Sequence, residues 1–231
     1  MSRLASFKGP STPTSSPVRV KQAPSSPGQS PSKPSESPYH RKVRTLMLEL
    51  RTCATTWDNI ALIDGLKAAS SLVDARTELD NTLGLFPPGK QPTYHVVEPK
   101  ITLMESRIAD LDKVILRLKK QLHKMNVIIE NLEAILFDAH KVRGWQWATE
   151  EPLWMTWPLE RFVSSASQIL VPYRRSLEMH IDIVNTLRSH SVPFETSRSA
   201  IADWAAQPHL DEEGWDARWE ELCSVEIDGW D

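Results

Sequence analysis

From Ile101 to Ala139, apolar residues recur in alternating steps of three and four. The series runs Ile101, Met104, Ile108, Leu111, Ile115, Leu118, Leu122, Met125, Ile129, Leu132, Leu136 and Ala139. This is a heptad stripe with mostly Ile at a and Leu or Met at d, the pattern of helices that wind around one another. Val114, Ile128 and Ile135 add apolar g positions and widen the seam beyond what one partner helix covers. The spacing predicts a helix of about 40 residues, roughly 60 Å long, packed in a bundle.

A second stripe precedes it. Leu46, Leu50, Cys53, Trp57 and Ile60 follow a 4-3-4-3 spacing, which then drifts through Ile63, Leu66, Val73 and Leu79 to Leu83. Ser37 is placed to cap this helix, with Pro38 at its first position, where a missing N–H costs nothing. The segment "GLFPPGKQP" ends it, because the Pro pair cannot continue a helix. The two long helices are therefore expected to fold back as a hairpin.

A third stripe, Phe162, Ala166, Ile169, Tyr173, Leu177, Ile181, Val184 and Leu187, opens after Trp157-Pro158, with Thr156 available as a cap. Pro172 lies inside it and is expected to kink it, since proline removes one backbone bond and crowds the preceding turn. Two short helices are expected at about 196–206 and 211–224, the second begun by acids that suit a helix N-terminus. The predicted fold is all-α. A long antiparallel helical hairpin or coiled coil is completed by a third, kinked helix and short C-terminal helices.

Composition divides the chain of 231 residues into three stretches. Residues 1–37 are Ser/Pro-rich, and eight of the seventeen prolines lie by position 38. With too few aliphatics to build a core, this tail is expected to be disordered. Residues 38–190 form the helical bundle, and residues 191–231 a short helical, acidic, Trp-containing segment. In the tail, Ser16-Pro17-Val18-Arg19 and Ser30-Pro31-Ser32-Lys33 match the S-P-x-(K/R) pattern favoured by cyclin-dependent kinases. Thr12, Ser26 and Ser37 are weaker proline-directed candidates. A phosphate there would add roughly two negative charges to a basic tail.

The net charge of −3 hides an asymmetry. From Asp203 onward ten acids face one arginine, giving −9 and leaving +6 on the rest. Lys113, Arg117, Lys119, Lys120 and Lys124 form a basic helix face, which a solvated coiled-coil surface explains more simply than direct nucleic-acid binding. Only Cys53 and Cys223 occur, without a CxxC pair, which points to a reducing compartment rather than a disulfide framework or zinc site. The opening residues lack the apolar run of a secretory leader, and no stretch of eighteen apolar residues predicts a membrane span.

No P-loop, GxGxxG, G-x-S-x-G or HExxH pattern is present, and the seven histidines lack ligand spacing. His180 beside Glu178 reads as a surface pair, and Cys53 as a small core residue. No enzyme, cofactor, metal or small-molecule substrate is expected. The tryptophans are the unusual feature, with Trp145, Trp147, Trp154 and Trp157 falling within thirteen residues. Trp57, Trp157 and Phe162 lie on or beside apolar stripes and read as core. Trp145, Trp147, Trp215, Trp219 and Trp230 have weaker claims to one.

"TTWDNI" (55–60), "LWMTWPLERF" (153–162), the Tyr of "VPYRRSLEMHIDIVNTL" (171–187) and "WAAQPHLDEE" (204–213) occur in this order. Together they make the chain resemble the cyclin-dependent kinase 2-interacting protein family over about residues 40 to 225. Thr156-Trp157-Pro158 and Trp204 with Gln207-Pro208 are the most specific pieces. The resemblance implies a non-catalytic nuclear adaptor, with the cytoplasm as a second location. Its implied partners are cyclin-dependent kinase, replication and checkpoint proteins, and an AAA-ATPase complex that acts in ribosome maturation. Trp154, Trp157, Tyr173, Trp204, Gln207 and Pro208 are then the expected protein-interaction residues, since Trp is enriched at interface hot spots. The alternative is a self-associating coiled coil of kinetochore or spindle type, dimerising through Ile108, Ile115 and Ile129 and controlled by tail phosphorylation.

Overall fold

A computed structural model describes residues 36–87, 89–90, 92, 94–211 and 219–227. Thr12, Ser16, Ser26, Ser30, Trp215 and Trp230 lie outside them. Residues 36–231 cluster as one compact unit, and the described residues form an all-α fold.

Helix α1 (Pro38–Asp58) continues through a π-helical segment (Asn59–Gly65) into α2 (Leu66–Gly84), making one nearly continuous rod. Helix α3 (Tyr94–Arg143) returns beside it. Its 50 residues exceed the expected length because it starts before the heptads, with Pro99 in its opening turns. Three cross-links fix the antiparallel register. Tyr39 donates to Asp138 at 2.9 Å, Arg117 pairs with Asp64 at 2.5 Å, and Lys100 pairs with Glu78. After the short α4 (Trp145–Thr149) and a loop, α5 (Leu159–Arg188) runs back along the hairpin. Its far end is tied to α3 by the Arg188–Asp112 pair at 2.5 Å. Pro172 sits inside α5, which remains helical through it to Arg188.

The wide seam of α3 explains this arrangement. Met104, Leu111, Leu118, Met125, Leu132 and Ala139 are all fully buried at the d positions, while Val114 and Ile128 bury the g side. One helix therefore contacts the α1–α2 rod and α5 together. Ile115 and Ile129 are buried within the same chain, so the seam invoked for self-association is already occupied. Ile101, at the start of the stripe, is exposed.

The π segment alters the phase of the rod. A wide turn inserts one residue relative to the α repeat, rotating everything after it by about 100°. Ala61 and Gly65 consequently face the core. Ile63, which the α spacing places on the apolar stripe, is 61% exposed. The core face then continues through Ala68, Ala69, Leu72 and Arg76.

The helix starts depart from the expected caps. Ser37 precedes α1, but its hydroxyl bonds to His40 Nδ1 at 2.7 Å instead of a backbone amide. Thr156 does not cap α5. Pro158 holds the cap position, and the amide of Phe162 bonds to its carbonyl. Helix α6 (Phe194–Ala206) packs against α2 and α5, followed by α7 (Pro208–Asp211) and a terminal π segment (Glu221–Val225).

Candidate functional site

Two knots of aromatic residues hold the third helix and the C-terminal elements to the hairpin. The first is built on the loop between α4 and α5, where Pro152 bridges Pro158 and Leu153 N donates to Trp157 O at 2.9 Å. That closure turns Trp154 and Trp157 inward. Trp154 stands edge-on to His40 and Phe162, and its indole N–H donates to Glu36 at 3.2 Å. Arg44 lies 5.6 Å from the ring centroid and pairs with Glu36 at 2.7 Å. His40 Nε2 donates to the Leu153 carbonyl, so the start of α1 grips the loop directly. Trp157 tilts against Phe162 on one side, and the Arg161 guanidinium covers its ring at 4.0 Å.

The loop also receives a carboxylate from far along the chain. Glu226, only 2% exposed, accepts from the amides of Thr156 (3.0 Å) and Trp157 (3.1 Å) and from the Thr156 hydroxyl (2.5 Å). Two converging backbone donors just before the N-terminus of a thirty-residue helix favour a negative charge. Leu222, Cys223 and Ile227, on the same segment, are buried in the common core.

The second knot is centred on Trp204, which is fully buried. Its indole N–H donates to the Ala61 carbonyl at 2.9 Å, a group presented by the π segment. Gly65 lies so close that a Cβ there would sit 2.5 Å from the indole Cζ2. On the opposite side stands the His180 ring, edge-on at 4.4 Å. His180 is wholly buried, not a surface partner of Glu178, and its Nδ1–H donates to the Ser176 carbonyl at 2.6 Å. Burial is the main cause that pushes its pKa below the ordinary imidazole value, and the nearby His209 acts in the same direction. Buried Arg76 links the elements around this knot, donating to Ser197 on α6 at 3.0 Å and to the Leu187 carbonyl on α5 at 2.6 Å.

Gln207 takes the left-handed conformation (φ 42°) that ends α6. Its carbonyl then accepts the Leu210 amide at 2.9 Å, and Pro208 opens α7. The W-x-x-Q-P piece thus has a structural role: indole into the π turn, reversal at Gln207, restart at Pro208.

The expected interaction residues are therefore placed differently from the expectation. Trp154, Trp157, Tyr173, Trp204 and Gln207 are buried, and Tyr173 packs edge-on against Trp57 in the core at 5.1 Å. A ring enclosed on both faces has no surface left to offer a neighbour. Of the six, Pro208 alone is partly exposed. Trp57, Trp157 and Phe162 are core, as their stripes require. Trp145 is exposed, and Trp147 packs partly buried against Tyr39.

A different surface is open. Along the outer side of α1 and α3, a groove runs from Pro38 to Cys53 on one wall and from His123 to Asp138 on the other. Its two halves share Thr45 and Asn131. Leu48 and Val127 are exposed within it, Leu46 and Ile135 half-buried, and Arg41, Lys42 and Lys124 line it. Sequence reading missed it because Leu48 and Val127 fall off the main stripes.

Among the described residues, no group of three or more His, Cys, Asp or Glu side chains is disposed to hold a metal ion. No described helix is long and apolar enough to cross a membrane. On the basic face, Lys113 and Arg117 are paired with Asp110 and Asp64. No protein-family model matches this sequence, and no curated protein matches it as a relative.

Proposed function

We propose that the chain is a non-enzymatic helical adaptor of the cyclin-dependent kinase 2-interacting type, working in the nucleus. Its partners in this reading are a cyclin-dependent kinase, replication and checkpoint factors, and an AAA-ATPase complex of ribosome maturation. The observation that supports it most is the α1–α3 groove. Among the described residues, an apolar channel between α1 and α3 stays uncovered, about 22 Å long on α1, which is three to four helical turns. An amphipathic helix from a partner would place apolar residues over Leu48 and Val127, with its acids toward Arg41, Lys42 and Lys124.

Recovery of the tagged full-length protein from nuclei, with partners identified by mass spectrometry, tests this reading. The unmodified chain should bring down an AAA-ATPase. Leu48→Asp combined with Val127→Asp should abolish that recovery while far-UV circular dichroism and the melting temperature stay unchanged. Retention of the partner by the double variant would exclude the groove. Recovery of no AAA-ATPase, kinase or replication factor by the unmodified chain would end the adaptor reading.

A further inference from the structure

We infer that Ser37 is a phosphate acceptor for a proline-directed protein kinase, and that His40 receives the phosphate as a charged clamp between α1 and the loop before α5. The inference goes beyond the adaptor reading and does not rest on it.

Ser37-Pro38 is the one Ser/Thr-Pro step among the described residues. Ser37 is partly exposed and extended (φ −70°, ψ 163°), the conformation that a residue before proline prefers. In the transfer, Ser37 Oγ attacks the γ-phosphorus of a nucleoside triphosphate. The Oγ–P bond forms as the bond to the bridging oxygen breaks. The nucleoside diphosphate leaves, and the hydroxyl proton passes to the kinase's base.

His40 stands where the product needs a cation. The Leu153 carbonyl can only accept, so Nε2 carries the ring proton and Nδ1 takes the Ser37 hydroxyl at 2.7 Å. A phosphorylated serine has lost that hydroxyl proton, and its phosphoryl oxygens would face the same nitrogen. The ring answers by taking up a proton, so that Nδ1–H donates to the phosphate while Nε2–H still donates to Leu153. One imidazolium then ties together segments 113 positions apart. In the unmodified chain burial lowers the His40 pKa, with Glu36 acting to raise it and Arg44 to lower it. A dianion within hydrogen-bond reach reverses that balance in favour of the charged ring.

The surrounding charges suit the modification. Glu36, the acid beside Ser37, is already engaged by Arg44 at 2.7 Å and by the Trp154 indole N–H at 3.2 Å. Arg41 and Lys42 are exposed on the first turns of α1. Ser37 makes no side-chain cap bond to that helix, whose N-terminal end favours a negative charge. His40 also stands edge-on to Trp154 at 5.4 Å. Charging it therefore tightens the grip of α1 on the loop that seats this indole, and the phosphate locks the joint.

The test uses the full-length chain carrying Thr12→Ala, Ser16→Ala, Ser26→Ala and Ser30→Ala, which leaves Ser37 as its single Ser/Thr-Pro step. A purified mitogen-activated protein kinase with ATP should place one phosphate on this folded chain, mapped to Ser37 by peptide mass spectrometry. Adding Ser37→Ala should abolish it. Imidazole nitrogen-15 spectra at pH 7 should show His40 neutral before modification and protonated on both nitrogens after it. The phosphorylated chain should melt at least about 3 °C higher than the unmodified one. His40→Gln should remove that gain, since its amide can still donate to Leu153 but carries no charge. If His40→Gln proves poorly folded, the spectra of the unsubstituted ring decide alone. No phosphate on Ser37, modification only of the urea-unfolded chain, a ring still neutral beside the phosphate, or a gain that survives His40→Gln would each overturn the inference.

Discussion

Replacing Gly65 with alanine tests the packing of the second knot most directly. In an ordinary helix the change is favourable by about 0.5–1 kcal/mol, because alanine has less backbone freedom to lose. Here the new Cβ would lie 2.5 Å from Cζ2, 3.1 Å from Cε2 and 3.2 Å from Nε1 of Trp204. Carbon atoms in contact prefer about 3.5–4.0 Å, so the indole must retreat by about 1 Å. It has no easy path, being fully buried, backed by His180 and bonded to Ala61. Overpacking of this kind costs about 1–3 kcal/mol. Pulling the indole N–H off its buried acceptor adds about 1–3 kcal/mol. Net of the helix gain, Gly65→Ala should destabilise by about 1–5 kcal/mol, lowering the melting temperature by about 2–20 °C. Denaturant titration followed by far-UV circular dichroism measures it. In a Trp204→Phe background the same change should cost less than about 1 kcal/mol, because the smaller ring has no N–H to lose. A Gly65→Ala chain as stable as the wild type would refute the claim that the indole is immobile.

Two further outcomes follow from the same structure. The native state holds His180 and His40 neutral, with burial lowering both pKa values. Unfolded imidazoles take up protons near pH 6.5, so stability should be full above about pH 7.5 and fall as pH drops through 6.5. The urea midpoint at pH 7.5 and 5.5 checks this: His180→Phe should reduce the difference, and identical midpoints in the wild type would contradict it. Ile63→Lys should change stability by no more than about 0.5 kcal/mol, since the side chain is exposed. A loss of several kcal/mol would place Ile63 back in the core and remove the phase shift.

The heptads of α3 were legible because apolar residues kept alternating steps of three and four over most of a fifty-residue helix. Their extra g positions also implied more than one neighbour, and the rod and α5 fill that role. Short-range pattern failed wherever a distant group took over a local task. Thr156 looked like a cap, yet Glu226, seventy residues away, engages both its amide and its hydroxyl. Ile63 looked like core until the π segment moved it outward, and no local rule in "NIALIDG" announces that turn. Gly65 was a faint clue, as a lone glycine in a helical run with no nearby break. Its meaning depended on Trp204, 139 positions later in the chain, arriving at the same place. Four tryptophans within thirteen residues are unusual, but clustering of large rings favours mutual burial as readily as display. Enclosure by His40, Arg44, Arg161 and Phe162 decides for burial of Trp154 and Trp157, while Trp145 stays exposed.

A heptad repeat carries an inherent ambiguity: sliding one helix past another by seven residues restores nearly the same apolar meeting. The widened turn at Asn59–Gly65 removes that freedom. Its inserted residue occurs once in the rod, and it must meet both the Trp204 indole and the midpoint of α3. A hairpin displaced by one repeat would set the indole against an ordinary α turn, away from the Ala61 carbonyl and with no bare Cα to receive it. The irregularity acts as the tooth of a key, and it gives a monotonous pair of helices a single alignment in which to close.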